Sequence, residues 1–150
     1  MGPPAGAPVW HPAAIGRDLH PEPPLDRRLP LSAPLDLPLT LRLMCLWGGT
    51  TWMQVDGDGA WYAARTRQGP ATVRLTHGGD HLAAEAWGPG AAALLDEVPA
   101  LVGLDRPPLA ALSLDHPVLR DITRRHPGFR VGRSGRLYPR LVSAALAQKV

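Results

Sequence analysis

Ala71-Thr72-Val73-Arg74-Leu75-Thr76-His77-Gly78-Gly79-Asp80-His81-Leu82-Ala83-Ala84-Glu85-Ala86 holds two alternating runs around a pair of glycines. In an extended chain Ala71, Val73 and Leu75 project to one side while Thr72, Arg74 and Thr76 project to the other. Leu82, Ala84 and Ala86 repeat the pattern against His81, Ala83 and Glu85. Gly78-Gly79 accepts the backbone angles of a tight hairpin, so the two runs are antiparallel neighbours with one covered face and one wetter face.

Working upstream, Trp61–Arg67 reads as a further strand, separated from Ala71–His77 by Gln68-Gly69-Pro70. Thr51–Val55 precedes it across the turn sequence Asp56-Gly57-Asp58-Gly59, and Trp47-Gly48-Gly49 marks an earlier turn. Leu35, Leu37, Leu39, Leu41 and Leu43 alternate with Asp36, Pro38, Thr40 and Arg42, which predicts a first strand. Pro38 cannot donate to a ladder, so that strand belongs at an edge. Downstream of Gly88-Pro89-Gly90, the residues Ala91, Leu94, Leu95, Val98, Leu101 and Val102 recur at helical spacing, with Asp96 and Glu97 opposite. Pro99 is expected to bend or divide that helix. Residues 35–112 are thus expected to be an α+β domain, a five-stranded antiparallel sheet with a covering helix.

The flanks differ from this centre. Residues 1–34 hold nine of the 18 prolines and no regular period, which predicts an extended, disordered leader. Residues 113–150 are expected to be helical. Asp115 or Ser113 caps a short helix with Pro117 in its first turn and Val118, Leu119 and Ile122 on its buried side. A second helix is expected to start near Arg136, because Pro139 is tolerated only in a first turn, and its stripe of Leu137, Leu141, Ala144, Ala145 and Gln148 runs to Val150 without a stop signal.

Charge divides along the same line. Residues 1–115 carry eight Arg against twelve Asp and Glu, whereas residues 116–150 carry seven Arg and one Lys against Asp121 alone. A basic tail of this kind attracts polyanions, nucleic acid first among them. Gly132-Arg133-Ser134-Gly135, flanked by Arg130 and Arg136, offers backbone amides, a hydroxyl and guanidinium groups for a phosphate. No run approaches the roughly 18 apolar residues of a membrane helix, and a lone Cys45 excludes an internal disulfide, so a cytoplasmic protein without a membrane partner is expected.

Other chemistry finds little support. His77 and His81 are four apart, but two glycines lie between them and make a turn rather than a helix face, so no metal site is assigned. Asp56 with Asp58, and Asp96 with Glu97, lack an apolar pocket that would raise a carboxyl pKa for acid catalysis. Trp61, Arg65 and Arg67 share a face on a regular strand, an arrangement able to stack bases but more common as packing. Nucleophile elbows, phosphate-binding loops of the Gly-Lys-Ser/Thr type and dinucleotide fingerprints are missing, so no catalytic residue and no cofactor is assigned.

His126-Pro127-Gly128-Phe129-Arg130-Val131-Gly132-Arg133-Ser134-Gly135-Arg136-Leu137-Tyr138 and the following Leu141–Val150 resemble the DNA-3-methyladenine glycosylase II family. Pro34–Leu41 and Glu85–Ala91 are similar to upstream parts of the same family, so the resemblance spans about 35–150. It implies a sheet domain similar to half of the TATA-binding-protein fold, followed by the first helices of an all-α helix-hairpin-helix glycosylase domain. It also implies a base-excision repair enzyme that binds double-stranded DNA as a monomer and flips and removes alkylated purines. In the family, the phosphate-gripping hairpin and catalytic Asp lie beyond the position of Val150. No Asp follows Asp121, so this chain alone is expected to be inactive and truncated with respect to that domain. Arg130, Arg133, Ser134, Arg136, Gln148 and Lys149 are the expected DNA-binding residues. Lys149 stands where family members place an apolar minor-groove wedge, so proximity to DNA carries over and intercalation does not. The alternative is a non-catalytic DNA-binding or adaptor domain that keeps the sheet.

Overall fold

The computed structural model describes residues 23–45, 52–57, 59–111, 115–136, 141, 142, 144–146 and 148. Five antiparallel strands form one open sheet: β1 (Leu25–Pro30), β2 (Met53–Asp56), β3 (Gly59–Thr66), β4 (Gly69–His77) and β5 (His81–Trp87), in the order β1-β5-β4-β3-β2. Helix α1 (Leu37–Met44) follows β1, α2 (Ala91–Leu101) follows β5, and α3 (Pro117–Arg125) comes after a short 3-10 turn at Leu109–Ala111. The class is α+β.

The central hairpins follow the alternation. Thr76 pairs with Ala83 and Leu75 with Ala84, while Trp61 pairs with Arg74 and Tyr62 with Val73. Tyr62, Val73, Leu75, Leu82 and Ala84 are buried on the inner face. Leu94, Leu95, Val98 and Leu101 of α2 close over them and complete a single core cluster.

Two expectations at the front of the sheet are corrected. Leu35–Leu43 does not form a strand. Asp36 caps a helix by accepting from the Leu39 amide at 2.9 Å, and Pro38 falls in the first turn, where its missing amide costs nothing. The leucine alternation conceals a helical stripe, for Leu37, Thr40, Leu41 and Met44 are the buried residues of α1 while Leu43 is exposed. The fifth strand comes instead from the segment expected to be a disordered leader. Leu25–Pro30 pairs with β5 from Leu25↔Ala86 to Pro30↔His81, and Pro30 is tolerated because β1 is an edge.

Pro99 does not divide α2, which runs through it to Leu101. Termination comes just after, in a Schellman-type close: Leu104 N donates to Pro99 O, Gly103 N donates to Ala100 O, and Gly103 adopts φ +71°. Helix α3 is capped by His116 rather than Asp115, its Nδ1 accepting from Val118 N at 3.3 Å; Ser113 lies outside the described residues. Val118, Leu119 and Ile122, expected on a buried side, are 56%, 47% and 44% exposed, and α3 buries none of its residues.

The segment between α3 and Arg136 is stitched to the sheet domain. Asp36 N donates to Gly128 O at 2.7 Å, Arg130 N donates to Thr40 Oγ1 at 3.2 Å, and Arg133 N donates to Ala100 O at 2.9 Å. Gly132 is required here, since a Cβ would collide with the Leu101 carbonyl oxygen.

Candidate phosphate-binding cleft

This stitching sets the tail loop beside the β3–β4 hairpin. The hairpin turns on Arg67 and Gln68, and its end is held by Thr66, whose Oγ1 donates to Gly69 O at 2.9 Å and accepts from Gln68 N at 3.0 Å. Gly90, at the start of α2, packs against Thr66 and Gly69 so closely that it has no room for a side chain. The hairpin end is therefore a rigid shelf.

Between shelf, helix and loop lies an open cleft of about 740 Å³. The hairpin contributes Arg65, Thr66, Arg67 and Gln68; α2 contributes Ala93, Glu97 and Ala100, which share a face at helical spacing; the tail contributes Arg133, Ser134, Gly135 and Arg136. Four arginines thus face one carboxylate, Glu97. Small alanine side chains on the helix floor leave room for a ligand.

The arginines are not equivalent. Arg133 pairs with Asp105 at 2.5 Å. Arg136 is the most constrained: its Nε donates to Tyr62 Oη at 3.2 Å, its Nη1 to the Arg65 carbonyl, and its Nη2 meets Glu97 Oε2 at 2.7 Å. Arg65 and Arg67 have no carboxylate partner among the described residues, and both are exposed. Ser134 Oγ accepts from Arg136 N at 3.4 Å, which shapes the loop. The arrangement suits an anion, with guanidinium forks on the hairpin and the tail loop and with Arg65 and Arg67 unpaired with any carboxylate among the described residues.

Of the expected DNA-binding residues, Arg133, Ser134 and Arg136 line this cleft. Arg130 does not. It is 4% exposed, its Nη1 donates to Gly103 O and Arg106 O at 3.4 Å each, and its buried Nε has no hydrogen-bond partner among the described residues. Val131 and Gly132 run against the C-terminal end of α2, and Arg130 turns inward to carbonyls of the segment that follows the helix. Gln148 is exposed and outside the cleft lining, and Lys149 lies outside the described residues.

Arg65, Arg67, Gln68 and Glu97 are cleft residues that the sequence reading did not join to the tail. The expected shared face holds for Trp61 and Arg65, whereas Arg67 sits in the turn. Trp61 is engaged elsewhere: its ring centroid is 5.6 Å from that of Trp87, and Arg74, paired with Asp56, lies 5.4 Å from it. His77 and His81 flank the β4–β5 turn, where His77 Nδ1 accepts from Gly79 N and His81 Nδ1 lies 2.7 Å from Asp80 Oδ1. Among the described residues no group of three or more His, Cys, Asp or Glu is placed to hold a metal ion, and no helix is long and apolar enough to cross a membrane.

No protein-family model matches the chain, and no curated protein sequence matches it.

Proposed function

We propose that this chain is a DNA-binding platform belonging to a base-excision glycosylase of the 3-methyladenine type, and that the cleft takes the phosphate backbone of duplex DNA. The observation that carries the DNA reading is the convergence of Arg133, Ser134 and Arg136 with Arg65 and Arg67 around one cleft. The glycosylase reading rests on the resemblance of the tail and of the segments around Leu35–Leu41 and Glu85–Ala91. Phosphate contacts position a protein on DNA without reading sequence, which suits a platform beside a domain that flips the damaged base.

The test is fluorescence anisotropy of a labelled duplex with the full chain at two ionic strengths. Binding is expected to weaken at higher salt, and Arg133→Ser and Arg67→Ser are each expected to lower affinity and flatten the salt dependence by about one phosphate contact. Salt-independent binding, or variants indistinguishable from wild type, would overturn the cleft as the contact surface. The chain alone is expected to release no 3-methyladenine from alkylated duplex, since the sequence has no Asp after Asp121. Release by the purified chain would overturn the platform reading.

A further inference from the structure

Arg136 is held in a way its ion pair does not explain. Two of its three bonds go to neutral groups, the Tyr62 hydroxyl and the Arg65 carbonyl. Tyr62 is 1% exposed and belongs to the core cluster, so its hydroxyl is a fixed acceptor at the edge of the core. The Arg65 carbonyl lies on β3, paired into the sheet. The guanidinium is thus positioned from behind, independently of Glu97.

Glu97 meets the remaining nitrogen, Nη2, at the cleft. Its side chain is 40% exposed against 23% for Arg136, so this is a solvent-reachable pair of the kind that adds little to stability and exchanges readily. Among the described residues it is the only carboxylate in the lining of the cleft. Helix geometry sends its neighbour Asp96 elsewhere, to Arg27 of β1 at 2.8 Å. Arg65, Arg67, Arg133 and Arg136 are the charged groups that line the cleft with Glu97.

A carboxylate and a phosphate accept from a guanidinium in the same geometry. We propose that Glu97 occupies the place of a DNA phosphate on Arg136 and sets the affinity of the cleft, a regulation of the site that rests on the DNA-binding reading above. An arriving backbone phosphate displaces the carboxylate from Nη2 while Tyr62 and Arg65 keep the guanidinium in place. Glu97 also repels the phosphate until that exchange occurs, so the cleft discriminates against weakly held anions.

The experiment compares wild type, Glu97→Gln and Glu97→Asp by anisotropy with a labelled duplex at two ionic strengths, with circular dichroism to establish that each is folded. Glu97→Gln is expected to bind roughly fivefold more tightly, the effect of removing one unit charge a few ångströms away in a largely aqueous setting. Its salt dependence is expected to steepen by up to about one phosphate contact. Glu97→Asp, which keeps the charge on a shorter stem, is expected to gain less than Glu97→Gln. Wild-type binding with an unchanged Glu97→Gln variant overturns the gate alone, because a merely structural ion pair leaves affinity unmoved. Wild type and variant both failing to bind overturns the DNA reading and the gate with it. Binding by Glu97→Gln where wild type fails supports the gate in its strongest form.

Discussion

Arg27 donates to the carbonyl of Leu95, the carbonyl in α2 that Pro99 deprives of its amide partner. In an unbroken helix the amide four residues on would fill that role. Here Nη1 of an edge-strand arginine fills it at 3.2 Å, and the adjacent Nη2 pairs with Asp96 at 2.8 Å. The proline that interrupts the helix ladder thus becomes a point where β1 is fastened to α2.

This relationship is testable by a double-mutant cycle. Arg27→Met is expected to cost about 1 kcal/mol, most of it from the carbonyl bond because the ion pair with Asp96 is exposed. Pro99→Ala returns an amide to Leu95, so the cost of Arg27→Met should fall by about half in that background. Denaturant unfolding measures it, and additive effects would refute the coupling.

The tail loop depends on a close approach at Gly132 and on backbone conformation at Gly135. Gly132→Ala forces a methyl group into the Leu101 carbonyl and is expected to cost about 2 kcal/mol or more. Gly135 has φ +64° with open space around its Cβ position, so Gly135→Ala is expected to cost only the left-handed strain, about 1 kcal/mol. Thermal unfolding of the two variants should rank them in this order.

Arg130 and Arg133 separate fold from binding within one short segment. Arg130→Met removes a buried charge whose bonds are all internal, so duplex affinity and its salt dependence should stay within about twofold of wild type. Arg133→Ser should weaken both. A reversed ranking in anisotropy titrations would place Arg130 on the DNA surface.

At the β4–β5 turn, the hydrogen bond from His81, a backbone hydrogen bond and the His81 charge lower the Asp80 carboxyl pKa below its ordinary 3.8. A depressed carboxyl favours the folded state above its ordinary pKa, and that contribution is lost as pH falls through the lowered value. Titration of the Asp80 side-chain carbon by NMR should show a midpoint below 3.8, and His81→Gln should move it upward. An unmoved midpoint would exclude His81 as the cause.

The inner sheet was legible because Ala71, Val73 and Leu75 or Leu82, Ala84 and Ala86 alternate in runs bounded by hairpin glycines. The α2 stripe was legible for the same reason at helical spacing. Leu35–Leu43 misled because every second residue in a leucine-rich run also includes the i, i+4 pair Leu37 and Leu41, and the capping Asp36 decided between the two periods. Leu25-Asp26-Arg27-Arg28-Leu29-Pro30 carried no strand signal of its own; pairing with β5 makes it one. The inward turn of Arg130 and the exposure of α3 were equally hidden, since neither is a property of local pattern.

By itself the sequence determined the antiparallel hairpins, the covering helix and the basic character of the tail, all of which follow from spacing along the chain. Only the tertiary structure decided where that charge is placed. Arg65 and Arg136 are 71 positions apart, and they meet because Thr40, Ala100 and Leu101 hold the tail backbone against the helices that cover the sheet. Contacts of that separation are set by packing and backbone hydrogen bonds that close only in the folded chain.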